Sequence, residues 1–249
     1  MKRELKRQIK QDELVSTFQE ASRWTSAHGP EVKVTVAVLA AVVLASLAFA
    51  SYRGHRRGQA ERAFSVALDT FHSPVSSDLP EGFEAPPGPV FATAAEKYRK
   101  AAAQFDEVAS GYGSSDTGRR ARYYAALSRL ELGEYDAAEK SLGEIAARRD
   151  GDGLDASLAR LALADLRRRR GQADKAVEEY RRLSDDTSFV LPRDHVLLEL
   201  ARTLEEAKRP AEAGAAYRRL VEEFPSSVYA AEARRRADYL KGDAAPAQG

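Results

Sequence analysis

Three stretches of the chain, ARYYAALSRLELGEYDAAEKSLGEI (121–145), ARLALADLRRRRGQADKAVEEYRRL (159–183) and VLLELARTLEEAKRPAEAGAAYRRL (196–220), align without gaps. The offsets between equivalent positions are 38 and 37 residues throughout. Small residues recur at Ala126, Ala164 and Ala201, and again at Ala138, Ala176 and Ala213. A larger residue follows at Leu142, Tyr180 and Tyr217, and a branched aliphatic closes each unit at Ile145, Leu183 and Leu220. A period of this length marks stacked supersecondary units. Two antiparallel helices approach closely only where a small side chain faces the partner, and the larger residues then fill the groove towards the next pair. The helix-to-helix turns fall at Gly133-Glu134-Tyr135, Gly171-Gln172-Ala173 and Lys208-Arg209-Pro210. Glycine suits the C-terminal end of a first helix, and proline suits the start of a second.

Working outward, FDEVASGYGSS (105–115) parallels YRRLVEEFPSS (217–227), with Phe105 at the place of Tyr217 and Val108 at the place of Leu220. Residues 91–110 therefore read as the second helix of an incomplete first pair, whose partner is a helix at 58–72. Between them, 73–90 is rich in proline, glycine and serine and is expected to be a flexible insertion. After Pro225, residues 228–241 read as a lone helix with an arginine-rich face, the cap that closes a solenoid. The terminal 242–249 is expected to be a disordered tail.

Upstream, VTVAVLAAVVLASLAFASY (34–52) runs nineteen residues without a charge, bracketed by Lys33 and Arg53. Such a helix is about 28 Å long, close to the ~30 Å hydrocarbon core of a bilayer. It is apolar on every side, as a spanning helix is, and Tyr52 stands at one interface. A core helix is disfavoured by the length of the uncharged run. A cleaved signal peptide, suggested by Ala48-Phe49-Ala50, is disfavoured by the 33 residues that precede the run. Orientation is divided: seven basic residues (Lys2, Arg3, Lys6, Arg7, Lys10, Arg23 and Lys33) lie before the span, whereas Arg53, Arg56, Arg57 and Arg62 crowd its other end. Within the polar tail 1–33, Leu5, Ile9, Leu14, Phe18 and Ala21 recur mostly at three- or four-residue steps. They describe an amphipathic helix that either lies on an anionic surface or is simply solvated. The repeat domain then occupies 53–241.

Composition narrows the function. The 249 residues carry 39 basic and 38 acidic side chains, so no field of one sign favours nucleic acid. There is no cysteine, which excludes disulfides, cysteine-ligated zinc and a thiol nucleophile. The four histidines (His28, His55, His72, His195) are scattered. Asp150-Gly151-Asp152-Gly153-Leu154-Asp155 resembles a calcium loop only superficially, because Leu161 stands where the bidentate glutamate belongs. Arg167–Arg170 end a helix, where cations suit the dipole. No phosphate loop, zinc motif or nucleophile elbow occurs. No catalytic, cofactor-binding or metal residue is assigned, and neither an enzyme nor a small-molecule substrate is expected.

The LG-x-Y-x-x-A pattern at 132–138 and the A-x-x-x-Y-x-x-L-x-x-x-x-P spacing at 213–225 resemble tetratricopeptide repeats. The chain departs from that pattern early in each first helix, where Arg122, Arg160 and Leu197 stand in place of a large aromatic. With the apolar run at 34–52, the resemblance implies an all-α fold: a single N-terminal transmembrane helix followed by a tetratricopeptide-like α-solenoid of antiparallel helix pairs. It also implies protein partners, held on the face lined by the first helices. Carried over, that groove comprises Arg120, Tyr123 and Leu127, then Leu161, Asp165 and Arg168, then Leu198, Arg202 and Glu205. The layout as a whole resembles the ancillary subunit of the SecYEG translocon of bacterial inner membranes. This implies a cytoplasmic N-terminus and periplasmic repeats that meet chaperones or emerging chains. The FPSSVYA segment (224–230) also resembles periplasmic scaffolds for envelope assembly and cell division, which is the alternative.

Overall fold

The computed structural model describes residues 29–79, 88–148, 153–186 and 188–243. Among them are nine α-helices: α1 Gly29–His72, α2 Ala94–Gly111, α3 Asp116–Glu131, α4 Tyr135–Ala146, α5 Leu154–Arg169, α6 Ala173–Asp185, α7 Arg193–Glu206, α8 Pro210–Glu223 and α9 Ala230–Asp243. The fold is all-α, as the periodicity requires. Packing divides the chain into two compact units, Met1–Gly58 and Gln59–Gly249. The amphipathic tail predicted at 2–27, the middle of the insertion (80–87), the acidic turn at 150–152 and the last residues of the tail (244–249) lie outside the described residues.

The helix pairs fall where the register puts them: α3/α4, α5/α6 and α7/α8, with α9 as the cap. All six register alanines are completely buried, and Leu142, Tyr180, Tyr217 and Leu220 are at most 1% exposed. Helices of 12–16 residues are marginal in isolation. Here each gains about 2 kcal/mol for every large aliphatic side chain it fully buries. The incomplete first pair is also present. Phe64 and Ala67 of α1 pack with Ala101, Phe105 and Val108 of α2 and with Ala121 and Ala125 of α3. The Phe105 ring stacks on Tyr124 at 5.3 Å and meets Phe64 at 5.6 Å. Residues on α5 to α9 share one core, in which Ala230, Ala233, Ala237 and Leu240 are the contribution of the cap.

Two details differ from the sequence expectation. The helix expected to start at 34 begins earlier, with Gly29 and Pro30 in the first turn of α1; proline is tolerated there because its missing N–H would have had no partner. The insertion is tied at its base. Val75 is buried and bridges Phe91, the Ser76 N–H donates to the Phe91 carbonyl (2.9 Å), and the Phe91 N–H donates to the Pro74 carbonyl (3.2 Å).

The three turns share one geometry. In each, the residue after the first helix is left-handed: Gly133 at φ 76°, Gly171 at φ 73° and Lys208 at φ 57°. The N–H groups of Glu134, Gln172 and Arg209 each donate back five residues, to the carbonyls of Arg129, Arg167 and Leu204 at 2.9 Å. This is the Schellman arrangement that glycine favours. Lys208 is the exception in residue type, and its Cβ costs about 1–2 kcal/mol in that conformation. Replacing it with glycine removes the clash but adds freedom to the unfolded chain. Lys208→Gly is therefore expected to stabilise the protein by about 0.5–1 kcal/mol, raising the melting temperature by roughly 1–4 °C. Thermal melting of the purified chain followed by far-ultraviolet circular dichroism checks this, and a lower melting temperature would contradict it.

Candidate protein-binding face

The first helices α3, α5 and α7 carry the residues expected to line a groove, and each has a definite environment. On α3, Arg120 is exposed; its guanidinium donates to the Glu61 carboxylate at 3.0 Å and lies 5.1 Å from the Phe64 ring centre. Glu61 also accepts from the Thr117 hydroxyl at 2.6 Å, so α1 is tied to α3 through one carboxylate. Tyr123 and Leu127 are half-buried against the core of the first full repeat. Burial, followed by the adjacent Tyr124, pushes the Tyr123 phenol up to about 12.

On α5, Leu161 is half-buried. Asp165 accepts from Arg168 at 2.6 Å and from Arg169 at 2.7 Å. Arg168 also reaches Glu206 of α7 at 3.1 Å, and Arg169 reaches Glu131 of α3 at 3.0 Å. Partial burial acts against the Arg168 charge, but the Asp165 hydrogen bond and the Asp165 and Glu206 charges prevail and hold its pKa above the ordinary arginine value.

On α7, Arg202 is exposed between Glu199 (3.2 Å) and Glu232 of α9 (2.9 Å). Glu205 accepts the Tyr217 hydroxyl at 2.7 Å and pairs with Arg236 of α9. Burial alone would raise the Glu205 pKa; the hydrogen bonds from Arg236 and Tyr217 outweigh it and lower the carboxyl below its ordinary value. Leu198 requires a correction. It is only 1% exposed and sits in the main core, so it cannot touch a partner in the groove. The reason is local: α7 is enclosed by α6 and α8, and α9 adds a further apolar surface to the same core.

Two of the expected groove positions also have an internal duty. Leu130, Arg168 and Glu205 are equivalent positions on the first helices, and Leu142, Tyr180 and Tyr217 are their equivalents on the second. The pair is apolar in the first full repeat, where Leu130 and Leu142 are both buried. In the later two it becomes polar, Tyr180 with Arg168 and Tyr217 with Glu205. Burial, then the Asp165 and Glu199 charges, raise the Tyr180 phenol well above its ordinary value. The paired change from leucine–leucine to tyrosine–charge was visible in the aligned repeats and could have identified these contacts.

The face is thus crossed by ion pairs that run from one first helix to the next, through Glu131–Arg169 and Arg168–Glu206, and on to the cap through Arg202–Glu232. Exposed pairs of this kind contribute at most about 1 kcal/mol each, so a polar partner can exchange with them at little cost. Tyr123, Leu127 and Leu161 supply the apolar surface between them. Among the described residues, no group of three or more histidine, aspartate or glutamate side chains is placed to hold a metal ion. A separate cleft of about 290 Å³ lies where α2, α3 and α4 meet, with Ala125 and Ile145 on its floor and Asp106, Arg122, Arg129, Glu144 and Arg148 around its rim. Sequence reasoning did not find it, because its residues come from three helices and share no motif.

A family model described as a tetratricopeptide repeat-like domain matches residues 23–191, and a second, described as a tetratricopeptide repeat, matches residues 161–228. Two similar solved structures are those of the putative kinesin light chain TPR-like repeats from "Podosopora anserina" and of a single-substitution variant of the same protein. Both are 14% identical with a TM-score of 0.47; each covers 59% of this chain, and 79% and 78% of their own chains respectively are covered. No curated protein matches the chain.

Proposed function

The chain belongs to the tetratricopeptide repeat-like domain family, and from that premise we propose that it is a membrane-tethered binding subunit beside a protein translocon. Repeats of this family point to protein partners. In this proposal α1 crosses the inner membrane once, with the N-terminus cytoplasmic and the repeats periplasmic, where they meet chaperones or emerging chains.

One observation carries the membrane part. The apolar side chains of residues 34–52 are exposed throughout, with Leu44 at 67% and Phe49 at 60%. A core helix of a soluble protein would bury that surface, and an apolar patch of this extent needs a covering; a bilayer provides one at the matching thickness. The family match begins at residue 23 and so includes the span, which supports a retained helix over a cleaved leader. The orientation is taken from the resemblance to the translocon subunit, because the basic residues on the two flanks of the run disagree.

The test combines topology with capture. A reporter fused after Gly242 is expected to be active only on the periplasmic side. A photo-crosslinking amino acid at Tyr123 or Arg202 is expected to trap translocon components in intact cells. A cytoplasmic reporter would overturn the orientation. Crosslinks to peptidoglycan synthases in place of translocon subunits would favour the envelope scaffold suggested by the FPSSVYA segment.

A further inference from the structure

The cleft where α2, α3 and α4 meet has counterparts in the two later repeats, and in both the equivalent space is closed. In the second full repeat Arg160 pairs with Asp186 at 3.4 Å and Arg167 pairs with Glu179 at 2.7 Å, across the space between α5 and α6. In the third, Leu197, Leu200 and Leu204 of α7 stand at these places and are at most 4% exposed. The first full repeat departs from the second at three positions: Ala125 replaces Leu163, Ser141 replaces Glu179 and Arg148 replaces Asp186. The floor is therefore lowered, and both cross-cleft carboxylates are gone. Arg122 and Arg129, the equivalents of Arg160 and Arg167, are kept. Arg129 pairs instead with Asp106 of α2 at 2.5 Å, and Arg122 donates to the Gly113 carbonyl at 3.1 Å. What remains is the open cleft of about 290 Å³ with Ala125 and Ile145 beneath it.

We infer that this cleft binds an acidic peptide segment of a partner protein, whose carboxylates take the places that Glu179 and Asp186 hold in the next repeat. Arg122 and Arg129 are the residues that receive it. A guanidinium has five N–H donors in a fork that matches carboxylate oxygens, so each arginine can accept the ligand and keep its present partner. Asp106 and Glu144 stand against Arg122, Arg129 and Arg148 around the rim, which leaves the lining with a positive excess. Glu179 and Asp186 are seven residues apart, a rise of about 10 Å on a helix. Two acidic residues three apart in a polyproline-II segment lie on one side of the chain and about 9 Å apart, which matches that separation. The volume lies near the lower limit for a ligand pocket, so it suits the side chains of a short segment. The site is separate from the first-helix face and does not depend on whether α1 crosses a membrane.

The experiment titrates the purified full-length chain into a dye-labelled, end-capped peptide, Pro-Glu-Pro-Leu-Glu-Pro, and reads binding by fluorescence anisotropy. The peptide with glutamine in place of both glutamates is the neutral counterpart. The acidic peptide is expected to bind tighter than the neutral one by about tenfold or more, the value of one charge-assisted hydrogen bond. R122Q is expected to remove most of that preference. The S141E/R148D variant restores both carboxylates of the second repeat and closes the cleft, so it is expected to lose binding while its melting temperature is unchanged or raised. R182Q makes the same charge change at an exposed arginine of α6 and is expected to leave the affinity within about twofold, because a distant surface charge is screened. Equal binding of the two peptides, or none of either, overturns the inference. So does undiminished binding by S141E/R148D, or a loss in R182Q equal to that in R122Q, which would reduce the effect to general charge attraction.

Discussion

Gly118→Ala is expected to destabilise the repeat domain by about 3 kcal/mol, more than the same change at any other described glycine. Gly118 lies in the first turn of α3 and is buried. A Cβ built there runs into the Tyr112 carbonyl oxygen, with the Tyr112 carbonyl carbon and the Gly113 Cα also inside contact distance. These are backbone atoms, so no flexible side chain can move aside. The same turn is already committed: Ser115 caps α3 by accepting the Gly118 N–H at 3.0 Å, and its hydroxyl donates to the Tyr112 carbonyl at 2.7 Å. Relief of the clash would break the cap and shift α3 against α2, which disturbs the Phe105–Tyr124 stack. Chemical denaturation followed by circular dichroism measures the effect, and a loss under about 1 kcal/mol would show that the turn yields more easily than its contacts indicate. Gly143→Ala is the matched control, since a Cβ there meets nothing within 4 Å.

Tyr217→Ala is expected to cost about 4 kcal/mol, whereas Tyr217→Phe should cost about 1 kcal/mol. The ring is 1% exposed and lies in the core shared by α7, α8 and α9. Its removal leaves a cavity that neighbouring helices can close only in part. The phenylalanine variant keeps the packing and removes the hydroxyl's hydrogen bonds with Glu205 and Arg236, which still pair with each other. The difference between the two variants separates packing from hydrogen bonding. Equal losses would mean that the hydroxyl, not the ring, holds the last repeat to the cap. Denaturant titration of both variants beside the unaltered chain measures it.

Much of the fold was legible in the residues. The four classes of register position at 38- and 37-residue offsets located α3 to α8, because each helix pair must present small side chains where backbones approach and large ones where they diverge. The incomplete first pair was legible from Phe105 and Val108, which occupy the places of Tyr217 and Leu220. The candidate face was less so. Arg120, Tyr123, Leu127, Leu161 and Arg202 keep exposed or half-exposed side chains on the first helices, whereas Leu198 is enclosed. The repeat alignment treats Leu198 as equivalent to its counterpart Leu161, but only the last repeat adjoins the cap.

What the sequence by itself determined is the set of helix pairs, their turns and the apolar span. Those depend on periodicity and on the conformational preferences of nearby residues, which act within a few positions of the chain. Only the tertiary structure decided which charges are already matched and which first-helix residues remain open. Arg168 meets Glu206, Arg202 meets Glu232 and Glu205 meets Arg236, each across several turns of chain that belong to other helices. Such partners are chosen by how neighbouring helices stack, because side chains of either sign fit the same repeat position until the next helix supplies the opposite one.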